Sequence, residues 1–554
     1  MIRRRGYIIF GIIFSFMSFF AVAGCMLAKD GNIVWTGKRT AYIFLPALFA
    51  GILLGIGITE IMLILSKIIN RNSHKEPAKE ILSDRQILIL SFCGIFLAWL
   101  PFFLAFYPGN CTYDIGGQTW YIVSHHYEAH HPLLHTLIME FFLRIGISLK
   151  NANLGMAMYV LFQMSYLAFS FALGMRFLHK LKVARGWLIF LQLWAMFFSP
   201  NAYLAVSTTK DIFFAAEVLL MTLCLYGALL QKRNSLKPDK YDYGFVIHAV
   251  LMICFRNNGK YALMVLLVVL ACAALKTREN RKFYGRIAIM SLSALIAGSF
   301  ILSALSYLLK AEDIRKEEML SVPIQQLSRV MYYHGDEMEK NDKELIDGFF
   351  TEESYRNYVP SISDPVKSSV DLVYLRNHLS DFVKLYIKLL IRYPDEYVNA
   401  VLALDAGYLN LFDRTHEDVY TWGASYIRVG WSPNKELGLY QDSKSIKLYN
   451  TFKDFADKNS YDKIPVIRYL IMPGTYLWLF LFLGGWLLWQ RKLDKLCVLA
   501  FPAGYYLTLF LGPTVQLRYL YAIMVILPFM YAVMMSNGFY KHNGGKSDHA
   551  EVQE

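Results

Sequence analysis

The sequence predicts a mainly α-helical, polytopic membrane protein of about 12 spans with a separate soluble domain on the extracytoplasmic side. Three observations support this prediction. Of the 554 residues 56% are hydrophobic and only 18% are charged, which is far outside the composition of ordinary soluble domains. Apolar runs long enough to cross a bilayer recur along the chain. A single long stretch, residues 311–465, contains no such run.

The predicted spans fall into three groups. Residues 1–85 form an N-terminal two-span extension, 86–310 a membrane core, and 466–540 a C-terminal group, followed by a tail at 541–554 that we expect in the cytoplasm. The apolar runs are 7–28, 41–70, 86–106, 152–178, 184–200, 211–230, 243–255, 259–275, 286–309, 466–490, 495–513 and 517–536.

Basic residues predict the orientation of the chain. With the N-terminus inside, these spans place every basic cluster on the cytoplasmic side, so the net charge of +13 reports topology and not nucleic-acid binding. This parity requires that residues 133–149 do not cross the membrane, and we expect an amphipathic or re-entrant helix on the outer face there. A thirteenth span is the alternative, and it would move the basic loop at 176–185 outside.

The stretch 311–465 is predicted to be an extracytoplasmic soluble domain. It holds 26 acidic and 19 basic residues, a net charge of −7, which leaves +20 on the rest of the chain. A segment of this size can bury its own core. The charge difference fits an outer domain beside a membrane body with basic inner loops.

Residues 107–132 read YPGNCTYDIGGQTWYIVSHHYEAHHP and contain four of the thirteen histidines. The spacing of His126, His130 and His131 matches a histidine box of membrane di-iron desaturases and hydroxylases. Those enzymes need several boxes, and the other histidines form no second one. The sequence therefore predicts no metal centre from this pattern. Of the seven cysteines only Cys111 falls in a predicted outer loop, so no disulfide framework is expected.

Charged and polar residues also cluster at the outer ends of predicted spans. Cations that face a cavity at the membrane surface are costly unless they meet an anion, and a lipid-linked phosphate would be such an anion. Plainer explanations exist: Asp114 suits a turn or a cap, and Lys210 and Arg256 suit helix ends whose cations reach toward headgroups. The residues are Asp114, Lys210, Asp211, Arg256, Asn257, Arg518 and Tyr519.

Several short motifs resemble those of an uncharacterised bacterial group of polytopic membrane proteins, which in turn is similar to the GT-C fold glycosyltransferases. The resemblance covers roughly residues 86–536 and leaves the first two spans as an addition. The motifs are the YPG turn followed by Asp114, HHP at 130–132, STTKD at 207–211, FRNNG at 255–259, VPIQQLSR at 322–329 and RY at 518–519.

The resemblance implies a GT-C-like body and a hexosyltransferase that uses a polyprenyl-phosphate sugar donor. Its acceptor would be a cell-envelope glycan, lipid or protein on the outer face. In GT-C enzymes an acid in the first large outer loop, here 107–151, serves as catalytic base or as ligand of a divalent cation such as Mg²⁺ or Mn²⁺, and Asp114 is the matching position. Many members carry a second acid beside the first. This chain has Ile115 there, which favours the base and leaves the cation open.

The same resemblance implies roles for the other residues. We expect Lys210, Arg256 and Arg518 to stabilise the departing phosphate, since guanidinium groups suit phosphate oxygens. His130 and His131 would orient the loop or a substrate, or one would assist proton transfer. The stretch 322–329 would either line the cleft or dock the outer domain on the membrane body. The remaining predicted substrate-binding residues are Asn257, Gln325, Gln326, Arg329 and Tyr519.

Two other classes of function stay open. A transporter or flippase of an envelope lipid or polymer also needs a polar cavity, but it is expected to show repeated halves or interrupted helices with charges near mid-membrane. The sequence shows no internal symmetry, and the candidate charges lie at outer ends. An inactive GT-C-like scaffold is the third alternative, because the second acid is missing. In each case we expect a multi-pass protein of the cell membrane that contacts the lipid bilayer and no nucleic acid.

Overall fold

The computed structural model describes residues 2–35, 37–72, 82–111, 114–231, 234–312, 320–350, 355–412, 437–457 and 464–536. Within these ranges the chain is almost entirely helical, and its β-pairing consists of isolated bridges. The predicted mainly α class is therefore confirmed. The predicted tail at 541–554 lies outside the described residues.

Long apolar helices dominate the part of the chain before the insert, as the apolar runs predict. They are α1 (Ile2–Asp30), α2 (Lys38–Asn72), α3 (Asp84–Ala105), α4 (Asp114–Ser124), α5 (Leu133–Ser148), α6 (Ala152–Lys180), α7 (Arg185–Phe197), α8 (Ser199–Ala205), α9 (Asp211–Gln231), α10 (Lys240–Phe255), α11 (Asn258–Lys276) and α12 (Arg281–Leu309).

The insert is built from shorter helices. Its buried apolar residues between Ile324 and Tyr397 form a core of their own, whereas Tyr408 and Leu439 belong to the core of the membrane body. Its helices are α13 (Ser321–His334), a 3₁₀ turn (Gly335–Glu337), α14 (Lys340–Phe349), α15 (Asp364–Lys367), α16 (Leu372–Asn377), α17 (Leu379–Arg392), α18 (Pro394–Leu404), α19 (Ala406–Leu409) and α20 (Ile446–Asp457). The chain then continues through α21 (Pro465–Ile471), α22 (Pro473–Trp489), α23 (Leu493–Leu509) and α24 (Leu517–Ser536).

Among the described residues, 8 helices are long and apolar enough to cross a membrane, or up to 9 if α7 and α8 form one span bent by 51°. Each of the predicted apolar runs is helical, but α10 has 16 residues and α22 and α23 have 17 each. A spanning helix needs about 20 residues. The polytopic helical character is confirmed, and the count of 12 stays a prediction.

Helix α5 lies antiparallel beside the first half of α6. The backbones approach closely, since a Cβ atom on Gly146 would lie 2.5 Å from the nitrogen of Gly155. With 29 residues, α6 is about 43 Å long at 1.5 Å per residue, which exceeds the hydrocarbon core of about 30 Å. It is therefore long enough to extend beyond the membrane where α5 packs on it. This fits the predicted non-spanning helix, which stays a prediction.

Contacts between loops divide the bundle into two ends. At one end, segments predicted to lie outside contact one another: Asn110 with Val206, Tyr127 with Glu312, Tyr107 with Asp442 and Ser363 with Pro513. At the other end, segments predicted to lie inside, or the adjoining ends of predicted spans, do the same: Asp84 with His179, Asn234 with Lys282, Ile2 with Trp489 and Tyr226 with Lys495. The grouping matches the predicted partition of the loops. Which end faces the cytoplasm stays a prediction.

The N-terminal pair of helices is tied to the insert. Past the end of α1, Trp35 donates from Nε1 to Asn399 Oδ1 at 3.0 Å. Arg329 of α13 donates from Nη2 to the carbonyl of Gly31 at 2.9 Å. The hairpin of α1 and α2 is thus held at its loop by the insert.

Candidate functional site

The segment between α8 and α9 carries Lys210 and is fixed against the loop that follows α3. Asn110 donates from its backbone nitrogen to Val206 O at 2.9 Å and accepts from the nitrogen of Thr208 at 2.9 Å. Its side-chain Nδ2 donates to Ser207 Oγ at 3.0 Å. These bonds hold Lys210 at the rim of the bundle, directly before α9.

Asp211 opens α9 and forms a buried ion pair with Arg256, which follows α10. The second carboxylate oxygen of Asp211 accepts from Thr209 Oγ1 at 2.9 Å. Arg256 is only 9% exposed, so it does not reach out to headgroups as a helix-end anchor would. The pair joins the starts of α9 and α11 at one corner of the bundle.

A second arginine reaches the same corner through an aromatic ring. The guanidinium of Arg256 lies 4.6 Å from the ring centroid of Tyr519, and that of Arg518 lies 5.0 Å from the same centroid. Arg518 is 5% exposed and donates from Nε to Gln516 Oε1 at 2.7 Å. Two buried guanidinium groups therefore share one tyrosine ring.

His131 connects this corner to α4. Its Nδ1 lies 3.5 Å from Lys210 Nζ, and a Cβ atom on Gly117 would lie 3.1 Å from its Nε2. The first turns of α4 therefore pack against the imidazole. Asp114 is the first residue of α4, and its side chain lies outside the described residues. We call the set of His131, Lys210, Asp211, Arg256, Arg518 and Tyr519 the rim cluster.

A buried hydrogen-bond chain supports the loop that carries His131. Tyr159 OH donates to Gln163 Oε1 at 2.8 Å, so it accepts from His135 Nε2 at 2.6 Å, and His135 Nδ1 in turn accepts from Gln118 Nε2 at 2.8 Å. Gln163 Nε2 donates to Ser207 O at 2.7 Å. The chain links α4 and α5 to the segment before Lys210. It assigns the proton of His135 to Nε2.

The remaining predicted residues occupy two different settings. His130 and Asn257 lie beside the rim cluster: the rings of His130 and His131 are 4.7 Å apart, and Asn257 follows Arg256. Gln325, Gln326 and Arg329 instead lie on α13 inside the insert, and all three are buried. The structure brings the first group together with the rim cluster and gives the second group other partners.

The α13 residues bond within the insert and to the hairpin loop. Arg329 Nε donates to Glu396 Oε2 at 2.7 Å, and Gln326 Nε2 donates to Tyr397 O at 3.2 Å. Gln325 Nε2 donates to Val359 O at 2.7 Å. Of the described bonds of these side chains, only those from Arg329 to Gly31 and Asn32 of the hairpin loop leave the insert, and they favour the docking alternative for stretch 322–329. A substrate-binding role for the stretch stays a prediction.

The insert nevertheless reaches the rim cluster through another segment. Just after Val359, Ser363 donates from its backbone nitrogen to Pro513 O at 2.8 Å, and Thr514 Oγ1 donates to Ser361 O at 3.0 Å. The turn at 512–516 leads directly into Arg518. The insert therefore rests on the chain segment that positions one of the two rim arginines.

Asp405 is a functional candidate that sequence reasoning missed. It follows α18 and is 3% exposed, and burial raises the pKa of its carboxyl well above its usual range. In the described part of the chain no hydrogen-bond donor meets this carboxyl. Its neighbour Tyr408 accepts from the backbone nitrogen of Gln516 at 3.5 Å. The sequence signal was a lone acid in the apolar run AVLALDAGYL.

A buried acid within the helical bundle was also missed. Glu217 lies six residues into α9, about 9 Å below Asp211, and is fully buried. It accepts a hydrogen bond from Tyr166 OH, and His248 Nδ1 lies 2.7 Å from its Oε2. A lone acid in an apolar helix was the available signal, because ionisable groups at this depth are costly and are retained for function or for helix pairing.

The described residues contain no group of three or more His, Cys, Asp or Glu side chains that could hold a metal ion. The carboxylate of Asp211 is engaged by Arg256 and Thr209. The described part of the chain therefore contains no set of side chains that would hold Mg²⁺ or Mn²⁺. No chemical step proposed below depends on such an ion.

Fold and site together define a polytopic helical membrane protein with a cationic corner at one end of its bundle. A family model described as a family of unknown function, DUF6020, matches residues 113–548, and the chain belongs to this family. The predicted membership of an uncharacterised family is confirmed. The matched region begins after α3 and contains Asp114, the rim cluster and the insert. No curated protein and no solved structure matches the chain.

Proposed function

We propose that the protein is a membrane glycosyltransferase that moves a sugar from a polyprenyl-phosphate-linked donor to a cell-envelope acceptor on the outer face. One observation supports this most strongly. Lys210, Arg256 and Arg518 converge on one corner of the bundle, beside the helix that Asp114 opens. A phosphate could meet these cations while its isoprenoid chain stays in the bilayer.

The formal charges of the cluster suit an anionic ligand. Lys210, Arg256 and Arg518 each carry a positive charge, and Asp211 pairs with Arg256. The two arginines are nearly buried, and charge interactions gain strength in a medium of low dielectric. Cations placed at a leaving phosphate stabilise the charge that develops in the transition state, and each such donor is typically worth about 10²–10³ in rate.

In the proposed reaction the acceptor hydroxyl oxygen attacks the anomeric carbon of the donor sugar. The bond between that carbon and the phosphate oxygen breaks, and the polyprenyl phosphate leaves with the electron pair. The hydroxyl proton passes to the carboxylate of Asp114. General-base help of this kind contributes about 10²–10⁴ in rate.

His131 has a positioning role in this scheme. Lys210 is a donor, so the nearby Nδ1 of His131 accepts and the ring carries its proton on Nε2. That N–H is directed toward the first turns of α4. His131 would thus fix the position of Lys210 relative to the helix that Asp114 opens, with His130 beside it.

A transporter or flippase is the second candidate, and two observations favour it. The helices α7 and α8 meet at a 51° bend, and the buried pair of Glu217 and His248 places ionisable groups inside the bundle. Interrupted helices and intramembrane charges are typical of secondary transporters. The glycosyltransferase takes precedence because the larger group of charges lies at the rim.

The test is sugar transfer by Asp114→Asn in proteoliposomes that contain a labelled polyprenyl-phosphate sugar and envelope acceptors. Asp336→Asn, an exposed acid of the insert, is the matched control. We expect loss of at least about 10²-fold in transfer for Asp114→Asn, with normal membrane expression and an unaffected control. Full transfer by Asp114→Asn, or translocation of the intact lipid without transfer by the wild type, would remove the proposal.

A further inference from the structure

A groove of about 470 Å³ lies between α1 and α2, at the end of the hairpin remote from the insert. Its walls are almost wholly apolar and include Ile8, Ile12 and Phe16 of α1 and Ile52 of α2. Tyr7 and Ser15 also line it, and Arg4 is the charged residue of the lining, at one end. The groove is thus an apolar channel with a cation at its mouth.

Glycines explain why the groove is open. A Cβ atom on Gly55 would lie 2.4 Å from the nitrogen of Gly11, so the two helices touch along this line. Gly11 itself is buried, yet a Cβ atom built on it would find no atom within 4 Å. A buried position with empty space in front of it marks the floor of a cavity.

The length of the groove matches one leaflet of a bilayer. From Arg4 to Phe16 the helix rises about 18 Å at 1.5 Å per residue. Half of a hydrocarbon core of about 30 Å is about 15 Å. An acyl chain that starts at headgroup level beside Arg4 would therefore lie along the groove within a single leaflet.

Neighbouring polar groups are already engaged, which singles out Arg4. Arg3 pairs with Glu60 at 2.8 Å, Tyr7 OH bonds to the same carboxylate, and Arg5 donates to Trp489 O at 3.4 Å. In the described part of the chain no carboxylate meets Arg4. A headgroup phosphate would complement it.

We propose that this groove is a binding site for an anionic glycerophospholipid, with one acyl chain between α1 and α2 and the phosphate on Arg4. The site is independent of the proposed transferase. The far end of α1, at Gly31, contacts the insert, so the groove opens at the opposite end of the bundle from the rim cluster. An anionic surface also attracts a juxtamembrane basic cluster such as residues 3–5, with about 1 kcal/mol for each arginine.

Native mass spectrometry of the full-length protein, titrated with phosphatidylglycerol or with phosphatidylcholine, tests the proposal. Arg4→Gln is expected to weaken phosphatidylglycerol binding about fivefold, equivalent to about 1 kcal/mol, and to leave phosphatidylcholine unchanged. Lys38→Gln, which removes a charge at the other end of the hairpin, is the matched control and should behave as wild type.

A second pair of variants tests the apolar half of the site. Gly11→Leu fills the groove and is expected to lower binding of phosphatidylglycerol at least fivefold. Gly57→Leu is its control, because Gly57 is exposed on α2 and also faces open space. Equal binding of both lipids by the wild type, or wild-type behaviour of both Arg4→Gln and Gly11→Leu, would overturn the proposal. So would a dimer of this chain that forms in place of the lipid complex.

Discussion

Two buried arginine sites in this molecule differ in how their charge is met. On α13, all three guanidinium nitrogens of Arg329 have partners, with Glu396 supplying the counter-charge and Tyr358, Gly31 and Asn32 further acceptors. In the rim cluster Arg256 pairs with Asp211, and its guanidinium shares the ring of Tyr519 with that of Arg518. The difference teaches that a buried arginine whose donors are met by its own chain serves the fold. The rim cluster, where cations gather at the end of the bundle, is the place at which we propose a phosphate binds.

We expect the largest effect on stability from a substitution that breaks the α13 site. Arg329→Gln leaves the buried carboxylate of Glu396 without its main counter-charge, so we expect the free energy of unfolding to fall by about 3–5 kcal/mol. Thermal unfolding in detergent measures this change. Lys384→Gln, at an exposed pair on α17, is the control and should change stability by less than about 1 kcal/mol. A stable Arg329→Gln protein would remove the contrast between the sites.

A substitution in the rim cluster should lower sugar transfer more than it lowers stability. Arg518 donates to the side chains of Gln516 and Tyr519, and the loss of a hydrogen bond to a neutral group typically costs about 1 kcal/mol of stability. Sugar transfer by Arg518→Gln should fall by about 10²–10³. Parallel measurements of melting and transfer separate the two effects. A folded variant with wild-type transfer would contradict a role at the phosphate.

Asp405 sharpens the comparison because it is a buried acid that meets no cation in the part of the chain that the structure describes. Its pKa is raised in the folded protein, so stability is fully present below the unfolded pKa near 4 and is lost as pH rises toward the folded pKa. The loss is about 1.4 kcal/mol per pH unit within that window. Asp405→Asn should flatten this dependence in melting curves from pH 5 to 8. Curves that run parallel to those of the wild type would exclude the assignment.

The histidines provide the smallest effect. His126 is 47% exposed and pairs with exposed Glu312, so His126→Ala should change the free energy of unfolding by less than about 1 kcal/mol and leave transfer intact. His131 is buried between Lys210 and α4, and His131→Ala should lower transfer more than His126→Ala does. Transfer assays on both variants decide this. Equal loss in the two would mean that the loop acts as a whole.

The sequence predicts most of the helices because hydropathy and length are local properties. The count of 12 spans stays a prediction, since α10, α22 and α23 are short and the α7–α8 segment is bent. The basic clusters also predict which loops share an end of the bundle, because each cluster can be recognised within one loop of the sequence.

The candidate site could be predicted only in part. Span ends indicated Lys210, Arg256 and Arg518, and the structure places them together. Whether a buried arginine is already neutralised depends on a partner distant in sequence: Glu396 lies 67 residues beyond Arg329. Glu217 and His248 likewise lie on different helices, so their pairing also depends on residues distant in sequence. No pattern in a single segment indicates such partners.

Binding of sugar-free polyprenyl phosphate tests the central claim most directly. The measurement compares wild type, the double variant Lys210→Gln/Arg518→Gln and a control double variant, Lys340→Gln/Lys384→Gln, with exposed lysines of the insert. Two charge-assisted contacts of about 1.5–3 kcal/mol each predict at least about 10²-fold weaker binding for the rim variant, with the control unchanged. Equal affinity of all three folded proteins would contradict a phosphate site at the rim cluster.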